Sequence, residues 1–398
     1  MSASVSRPQG TFQSPRVFAA ALLLLAASAR AAPWSDDTAR SDYERLNRQA
    51  SRRSAGPPEF DTMRLSIRTM LGKGHGIIRS GYPFPGFICQ GLQCFMPLKS
   101  QCALGNTVDF REREHSLMMF AYELRVHRRL SFDVEAGGSG DGRGRAFDQQ
   151  WLNSPDFILW YAPTDTTWVG PRNVQWSQSE AIIEGDTRML SSNAYFRVLI
   201  LPNRYSWRDE KVRQALDVFA GYTLYQDTFR MKDGSQILTD RTYFADFSTP
   251  EGPFAGQDSK YRFRWEGFRF GIREEVAIPG GWSFTGRFAY APDLEYQGEG
   301  SWTTNKALSP GGFDGKRLKT GGPNSIQTAR GRSFDGMASF GYSPWRFLTM
   351  ELGYLYMYFK GGRGTDKILY SDGSFEDVEL ERVTSKRTGG FASVTLKY

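Results

Sequence analysis

The chain alternates between short and long connections, and this pattern restricts its fold more than any other feature. Ten segments show the period-2 hydrophobicity of strands: 62–72, 115–127, 130–144, 187–201, 213–231, 258–277, 282–299, 328–343, 346–362 and 386–398. Strands two and three, four and five, six and seven, and eight and nine meet in brief turns, whereas the other five connections are long. Short periplasmic turns and long extracellular loops are typical of outer-membrane barrels. We therefore predict an all-β fold, a ten-stranded antiparallel transmembrane β-barrel over residues 61–398.

The second strand shows what the alternation means for each face. In SLMMFAYELRV (116–126) the even-numbered positions from Met118 are apolar, and the odd-numbered positions include Glu123 and Arg125. In a membrane barrel the apolar set contacts lipid and the charged set faces the lumen. We expect a lumen ion network that plugs the barrel, formed by Glu123, Arg125, Asp133, Glu135, Arg262, Arg264 and Glu266.

The sixth strand, in YRFRWEGFRFGI (261–272), predicts an irregularity at Gly267. Tyr261, Phe263 and Trp265 are expected to face lipid on one side of it. Beyond it Phe268 and the following alternate residues take over that face, so we expect a bulge that inverts the parity of this strand.

The overall hydropathy excludes a helical membrane protein but is compatible with a barrel. Mean hydropathy is −0.48, and no stretch after residue 32 approaches the length of apolar sequence that a membrane helix needs. In a barrel only alternate residues face lipid, so a polar average is expected.

The N-terminal region predicts export and gives no sign of nucleic-acid binding. Residues 1–32 combine a basic start, the apolar run VFAAALLLLAASA and small residues, as a signal peptide does. Residues 33–60 predict a mobile periplasmic segment. Residues 1–32 carry three arginines and no acid, so the formal net charge falls from +7 to +4 when the signal peptide is removed. Such a mild excess indicates no nucleic-acid partner.

Three cysteines lie close together in FICQGLQCFMPLKSQC (87–102). An exported chain favours a disulfide, for which we prefer Cys89 with Cys94, leaving Cys102 over. The histidines His75, His115 and His127 are scattered and match no zinc spacing, so we predict no metal and no cofactor.

Several stretches, taken in order, resemble the omptins, a family of ten-stranded outer-membrane endopeptidases. They are LSIRTMLGKG (65–74), the hairpin 116–138 with GRGRAFDQQW (142–151), DVFAGYTLYQDTF (217–229), YRFRWEGFRFGI with GRFAYAPDLEY (286–296), and YFKGGRGTD (358–366). This resemblance implies an outer-membrane location in a Gram-negative bacterium.

The resemblance also locates the positions of the family's catalytic pairs, an Asp-x-Asp motif and an Asp-x-His motif. The first corresponds to Asp148, Gln149 and Gln150, where the second acid is an amide that cannot take a proton. The second falls at Gly300–Trp302, with Glu299 beside it and no histidine after His127. The catalytic residues are therefore absent as a set, and Asp148, Gln150 and Glu299 are candidate remnants.

The expected partners also follow from the resemblance. Omptins bind lipopolysaccharide through basic outer-face residues, and Arg264 corresponds to one of them, although the fifth strand has Gln226 at the matching position. The aromatic-ended FASVTLKY (391–398) is similar to the signal read by the outer-membrane assembly machinery, and we expect it to pair with the first strand. Oligomeric state is not indicated.

Three functions remain open. The leading hypothesis is a surface or structural barrel that is not proteolytic and acts through its extracellular loops. The alternatives are an endopeptidase with a non-standard acidic site, such as Asp148 with Glu299, and a narrow or plugged pore. Four tryptophans of the 145–186 region, Trp151, Trp160, Trp168 and Trp176, either form a binding platform or pack the loop on itself.

Overall fold

The structure is a computed structural model that describes residues 62–82, 88–90, 93–97, 104–152, 157–161, 166–169, 174–207, 210–240, 250–303 and 317–398. The predicted signal peptide, the segment 33–60 and Cys102 lie outside the described residues. Ten long strands are present: β1 Met63–Tyr82, β2 Leu104–His127, β3 Leu130–Leu152, β4 Val174–Trp207, β5 Glu210–Thr239, β6 Ser259–Ile278, β7 Trp282–Ser301, β8 Ser325–Trp345, β9 Leu348–Leu369 and β10 Phe375–Lys397.

The ten strands form a closed antiparallel ring. Each strand pairs with its two neighbours in the chain, and β10 returns to β1 with Leu396 opposite Leu65. The pairing of β4 with β5 completes the circuit. This arrangement confirms the predicted ten-stranded barrel and the predicted pairing of the FASVTLKY segment with the first strand. Ring closure leaves no sheet edge with unpaired backbone groups, which the membrane interior requires.

The strands extend well beyond the predicted limits. The predicted loop 73–114 contains the last residues of β1 and the first half of β2. On the short-turn side, β4 and β5 continue as a long hairpin to Trp207 and Glu210. The β1–β2 and β3–β4 connections together form a second, separate sheet. Its four short strands are Ile88–Gln90, Gln93–Pro97, Phe157–Tyr161 and Thr166–Val169. We call this sheet the cap.

An apolar belt surrounds the half of the barrel next to the short turns. Ile67, Phe120, Phe132, Phe270 and Leu352 are examples of its side chains, each 44–68% exposed on the outer face. A soluble protein rarely exposes so much contiguous apolar surface, whereas lipid requires it. The belt defines the membrane-spanning segments, roughly 63–71, 118–126, 130–136, 190–198, 216–224, 268–278, 282–288, 338–345, 348–356 and 390–398. In the described part of the chain, no helix is both long and apolar enough to span a membrane.

Inside the belt, buried charges fill the lumen. Arg273 donates to both oxygens of Glu123 at 3.0 Å and to Asp217 at 2.9 Å. Arg287 donates to Glu135 at 2.8 Å, and Asn193 donates to Asp133 at 2.6 Å. Arg64, Arg68, Arg197, Arg269, Glu275 and Asp335 belong to the same layer. The predicted lumen positions of Glu123, Asp133 and Glu135 are confirmed. We call this layer the belt network.

Above the belt the inner and outer faces exchange character. Tyr261, Phe263 and Trp265 are buried in the lumen, with at most 1% of their surface exposed. Arg262 and Arg264 lie outside, paired with Glu299 and Glu266 at 2.6 Å. The predictions that these aromatic residues face lipid and that Arg262, Arg264 and Glu266 face the lumen are therefore wrong. The upper wall projects beyond the lipid, so its outer face contacts water and its inner face is a protein core.

The irregularity expected at Gly267 is present, but its effect on parity is different. Pairing of β6 with β7 shifts between Gly267 and Phe270, which lie opposite Leu294 and Tyr290. The extra residue is in β7, around Pro292 and Asp293, so β7 changes parity and β6 does not. A Cβ at Gly267 would lie 2.9 Å from the Asp293 carbonyl oxygen. The missing side chain thus lets the bulged strand approach closely.

Candidate functional site

Asp148 and Gln150 lie on the inner face of β3, above the belt. Asp148 is opposite Val108 of β2 and Ser179 of β4. Its Oδ1 is buried and has no hydrogen-bond partner. Because burial disfavours the charged form, the pKa of the Asp148 carboxyl rises to about 6. The first acid that the resemblance located is therefore an inward, poorly solvated carboxyl group.

Replacing Asp148 with asparagine is expected to stabilise the protein at pH 8 by about 1–2 kcal/mol. The folded-state pKa is above the unfolded value, so the folded state holds the proton more tightly and loses stability as pH rises from about 4 through 6. The gain should vanish below pH 4, where both states are protonated. Urea unfolding of both proteins in lipid vesicles from pH 4 to 8 checks this, and a difference independent of pH would contradict it.

Glu299 lies on the opposite side of the wall from Asp148. On β7 the inner positions are Tyr296, Gly298 and Gly300, and Glu299 accepts a hydrogen bond from Arg262 on the outer face at 2.6 Å. Two carboxyl groups on opposite faces of a sheet cannot hold one water between them. The proposed pairing of Asp148 with Glu299 is therefore wrong.

The histidines do not replace the missing catalytic pair. His75 lies on the outer face of β1, with Nε2 2.7 Å from Asp109 Oδ1, and Asp109 also accepts from Arg111. His115 is buried in the lumen, where Nδ1 donates to the Arg113 carbonyl oxygen at 3.2 Å. His127 begins the short turn between β2 and β3. The three rings thus lie in three separate environments.

A second acid of the upper lumen, Asp366, was missed by the sequence analysis. Gln327, Ser325 and Ser80 donate to its carboxyl oxygens at 2.6–3.0 Å, and no cation pairs with it among the residues described. Burial consequently raises its pKa. The signal was present at the end of YFKGGRGTD, where an acid follows a glycine-rich stretch.

A compact charge cluster lies lower in the lumen, just above the belt. Asp227 accepts hydrogen bonds from Arg113 at 2.7 Å, Thr187 at 2.6 Å, Tyr225 at 2.7 Å and Arg387. The side chains of Arg113, Asp227 and Arg387 are only 2–3% exposed. The sequence did not predict this cluster, although Asp227 shares the inner face with Tyr225 in its alternating strand. We call it the Asp227 cluster.

An aromatic layer adjoins the Asp227 cluster and closes the lumen. The Trp265 ring lies 4.7 Å from Tyr296 and 5.6 Å from Phe359, and Phe359 stacks on Tyr225 at 4.8 Å. Further rings continue the layer across the barrel: Phe110, Phe229, Phe263 and Tyr261. All these side chains are at most 3% exposed. The lumen is thus a packed core at this level.

The remaining predicted site residues lie apart from this core. Arg264 projects from the outer wall above the belt, with Gln226 as its cross-strand neighbour. Cys89 and Cys94 are directly opposite each other in the backbone register of the cap. The Cα–Cα separation of such a pair suits a disulfide, but the two side chains are not among those described. Trp176 is buried, which agrees with packing, while the side chains of Trp160 and Trp168 are not described. No group of acids, histidines and cysteines suited to a metal occurs in the described ranges.

Comparison with known proteins agrees with this architecture. The chain matches the family profile described as "Pom: Protochlamydia outer membrane protein" over residues 182–396, more than half of its length. The chain belongs to this family. It is an outer-membrane β-barrel protein. No curated protein matches it.

Among solved structures, the Pom-family chain is similar in fold to an omptin. The outer membrane protease OmpT of Escherichia coli aligns with a TM-score of 0.58 and 12% identity, covering 87% of this chain and 100% of OmpT. A FadL homologue of Pseudomonas aeruginosa aligns with a TM-score of 0.27 and 11% identity, covering 85% of this chain and 90% of the FadL homologue. At such identities the OmpT match shows a shared fold, which confirms the omptin-like architecture but not an activity.

Proposed function

We propose that this Pom-family protein is a closed surface barrel, neither a channel nor a protease, whose function lies in its extracellular connections and cap. The observation that carries the proposal is the aromatic layer around Trp265, which fills the lumen above the belt network. Together the two layers form a continuous plug. The barrel then acts as a rigid membrane anchor for the structures above it.

The plug argues against a pore. Ten strands enclose more space than the filled eight-stranded barrels, but far less than the sixteen-stranded porins. Here charged groups occupy the belt level, and buried rings occupy the level above. A cavity of about 180 Å³ remains in the belt network, bordered by Arg64, Arg68, Glu135 and Arg273. It ends beneath the packed core, so it forms no continuous path across the membrane.

The positions of the acids argue against the protease chemistry of omptins. Hydrolysis requires a base within hydrogen-bond reach of the attacking water. The next inward-facing residue after Asp148 on β3 is Gln150, and an amide cannot accept a proton from the attacking water. Glu299 points out of the wall. The raised pKa of Asp148 makes it a stronger base than an ordinary carboxylate, but no group of the described residues orients it toward a water.

The cap supports a role at the surface. It joins two separate connections through pairing of Gln93–Pro97 with Phe157–Tyr161, so it holds both in one arrangement. Its four strands contain no charged residue and are rich in aromatic and aliphatic residues. Extracellular connections usually contact water and are polar. The uncharged sequence of this sheet therefore favours an apolar partner over a charged one.

The peptidase assay tests the proposal against its enzymatic alternative. The purified protein, refolded with lipopolysaccharide, should not cleave a dibasic peptide above the rate of the Asp148→Asn variant. Protease shaving of intact cells, done beside it, should cut only in the extracellular connections and leave the barrel intact. Cleavage by the wild type that is abolished in Asp148→Asn would replace the proposal with an endopeptidase using an acidic site.

A further inference from the structure

The Asp227 cluster carries more positive than negative charge. Arg113 and Arg387 both pair with Asp227, and neither makes an ion pair with another acid of the described chain. Their side chains are 2% exposed, so water does not screen them. The cluster therefore contains one carboxylate and two guanidinium groups, so a net charge of +1 remains in the protein interior. A buried charge of this kind requires a counter-charge.

Several donor atoms of the cluster also lack acceptors. Nε and Nη2 of Arg113 and Nη1 of Arg387 are buried without a hydrogen-bond partner. The rest of each group is committed, since Arg113 Nη1 donates to Asp227, and Arg387 also contacts Tyr225 and Thr187. Buried donors in native proteins are nearly always paired. The unpaired atoms thus mark a missing acceptor.

A small cavity lies between the two arginines. Its volume is about 10 Å³, and Gly74 and Phe263 line it together with Arg113, Arg387 and Asp227. This volume holds one water-sized species. A phosphate, sulfate or carboxylate group is too large, whereas a single-atom anion, which is somewhat larger than water, needs only a small displacement of the lining side chains. The aromatic edge of Phe263 carries partial positive charge, which also suits an anion.

We propose that the cavity binds one halide ion, chloride under physiological conditions, held by Arg113 and Arg387. The ion supplies the missing acceptor and cancels the excess charge of the Asp227 cluster. Water could accept from the guanidinium groups but would leave the charge uncompensated. The halide is therefore a structural component of the closed lumen, independent of any activity at the surface.

Gly74 offers a variant that fills the site without removing a charge. A Cβ there would lie 3.8 Å from Arg387 Cζ and 3.7 Å from Arg113 Cβ, which is ordinary contact. Gly74→Ala should therefore fold, keep both arginines and occupy the space of the ion. Arg387→Met removes the excess charge itself. Arg330→Met is the matched control, because Arg330 is an exposed arginine paired with Asp293 on the outer wall.

Anomalous diffraction from crystals grown in bromide tests the site directly. The wild type should show a bromide peak within hydrogen-bond distance of Arg113 and Arg387, absent in Gly74→Ala. Urea unfolding at constant ionic strength, with bromide replacing gluconate, should favour folding about tenfold per tenfold rise in bromide above its dissociation constant. Arg330→Met should retain this dependence, and Gly74→Ala and Arg387→Met should lose it. A water or an empty cavity in the bromide crystals, or equal bromide dependence in wild type and Gly74→Ala, overturns the proposal.

Discussion

Replacing Asp227 with asparagine is expected to destabilise the barrel by about 3–5 kcal/mol. The change removes the only acid that pairs with Arg113 and Arg387, and leaves two buried guanidinium groups without an ionic partner from the described chain. Removing one member of a buried charge network costs far more than the network contributes, because the remaining charge stays desolvated. The side chain of Asp227 is 3% exposed, so solvent cannot reduce this cost.

Urea titration of the protein in phospholipid vesicles measures the effect of Asp227→Asn. Glu299→Gln is the matched control, since it neutralises an acid that also pairs with an arginine, but on the exposed outer wall. Exposed pairs contribute less than about 1 kcal/mol, so the control should unfold almost as the wild type does. Equal losses in the two variants would show that the Asp227 cluster is not the buried network described here.

Replacing Trp265 with alanine is expected to cost about 3–5 kcal/mol, the range for removing a large buried aromatic side chain. Trp265 is fully buried between Tyr296 and Phe359. The surrounding strands belong to a closed ring and cannot collapse freely into the space, so a cavity remains at the centre of the plug.

Trp265→Phe separates the loss of packing from the loss of the indole. It retains an aromatic ring and removes the Nε1 donor, which is buried without a partner. Its cost should therefore be clearly smaller than that of Trp265→Ala in the same urea titration. Trp345→Ala, at a ring that is 51% exposed beside a short turn, should also cost less because no internal cavity forms. A Trp265→Ala variant as stable as the wild type would contradict the packed core.

The sequence predicts the fold within the belt because lipid imposes one rule there. Positions such as Phe120 and Phe132 face lipid, and their alternation with Glu123 and Asp133 is visible in the chain. The same rule fails above the belt. Around Trp265 the wall separates water from a protein core, so aromatic residues point inward with the same period of two. Alternation alone does not tell which face is which.

The candidate site was less predictable, since it depends on register between distant strands. The inward position of Asp148 on its strand follows from local alternation. The outward position of Glu299 depends on the bulge at Pro292, which reverses the parity of β7. The contact of Asp227 with Arg387 joins residues 160 positions apart. Period-2 patterns assign residues to faces, but they do not give the height at which two strands bring their charges together.

Single-channel recording in planar lipid bilayers shows whether the lumen is closed. A sixteen-stranded porin in the same bilayers is the positive control. The refolded protein should show no current steps on the scale of that porin, because the aromatic layer and the belt network obstruct the same narrow lumen. Stable porin-sized steps from the wild-type protein would mean that the lumen is open.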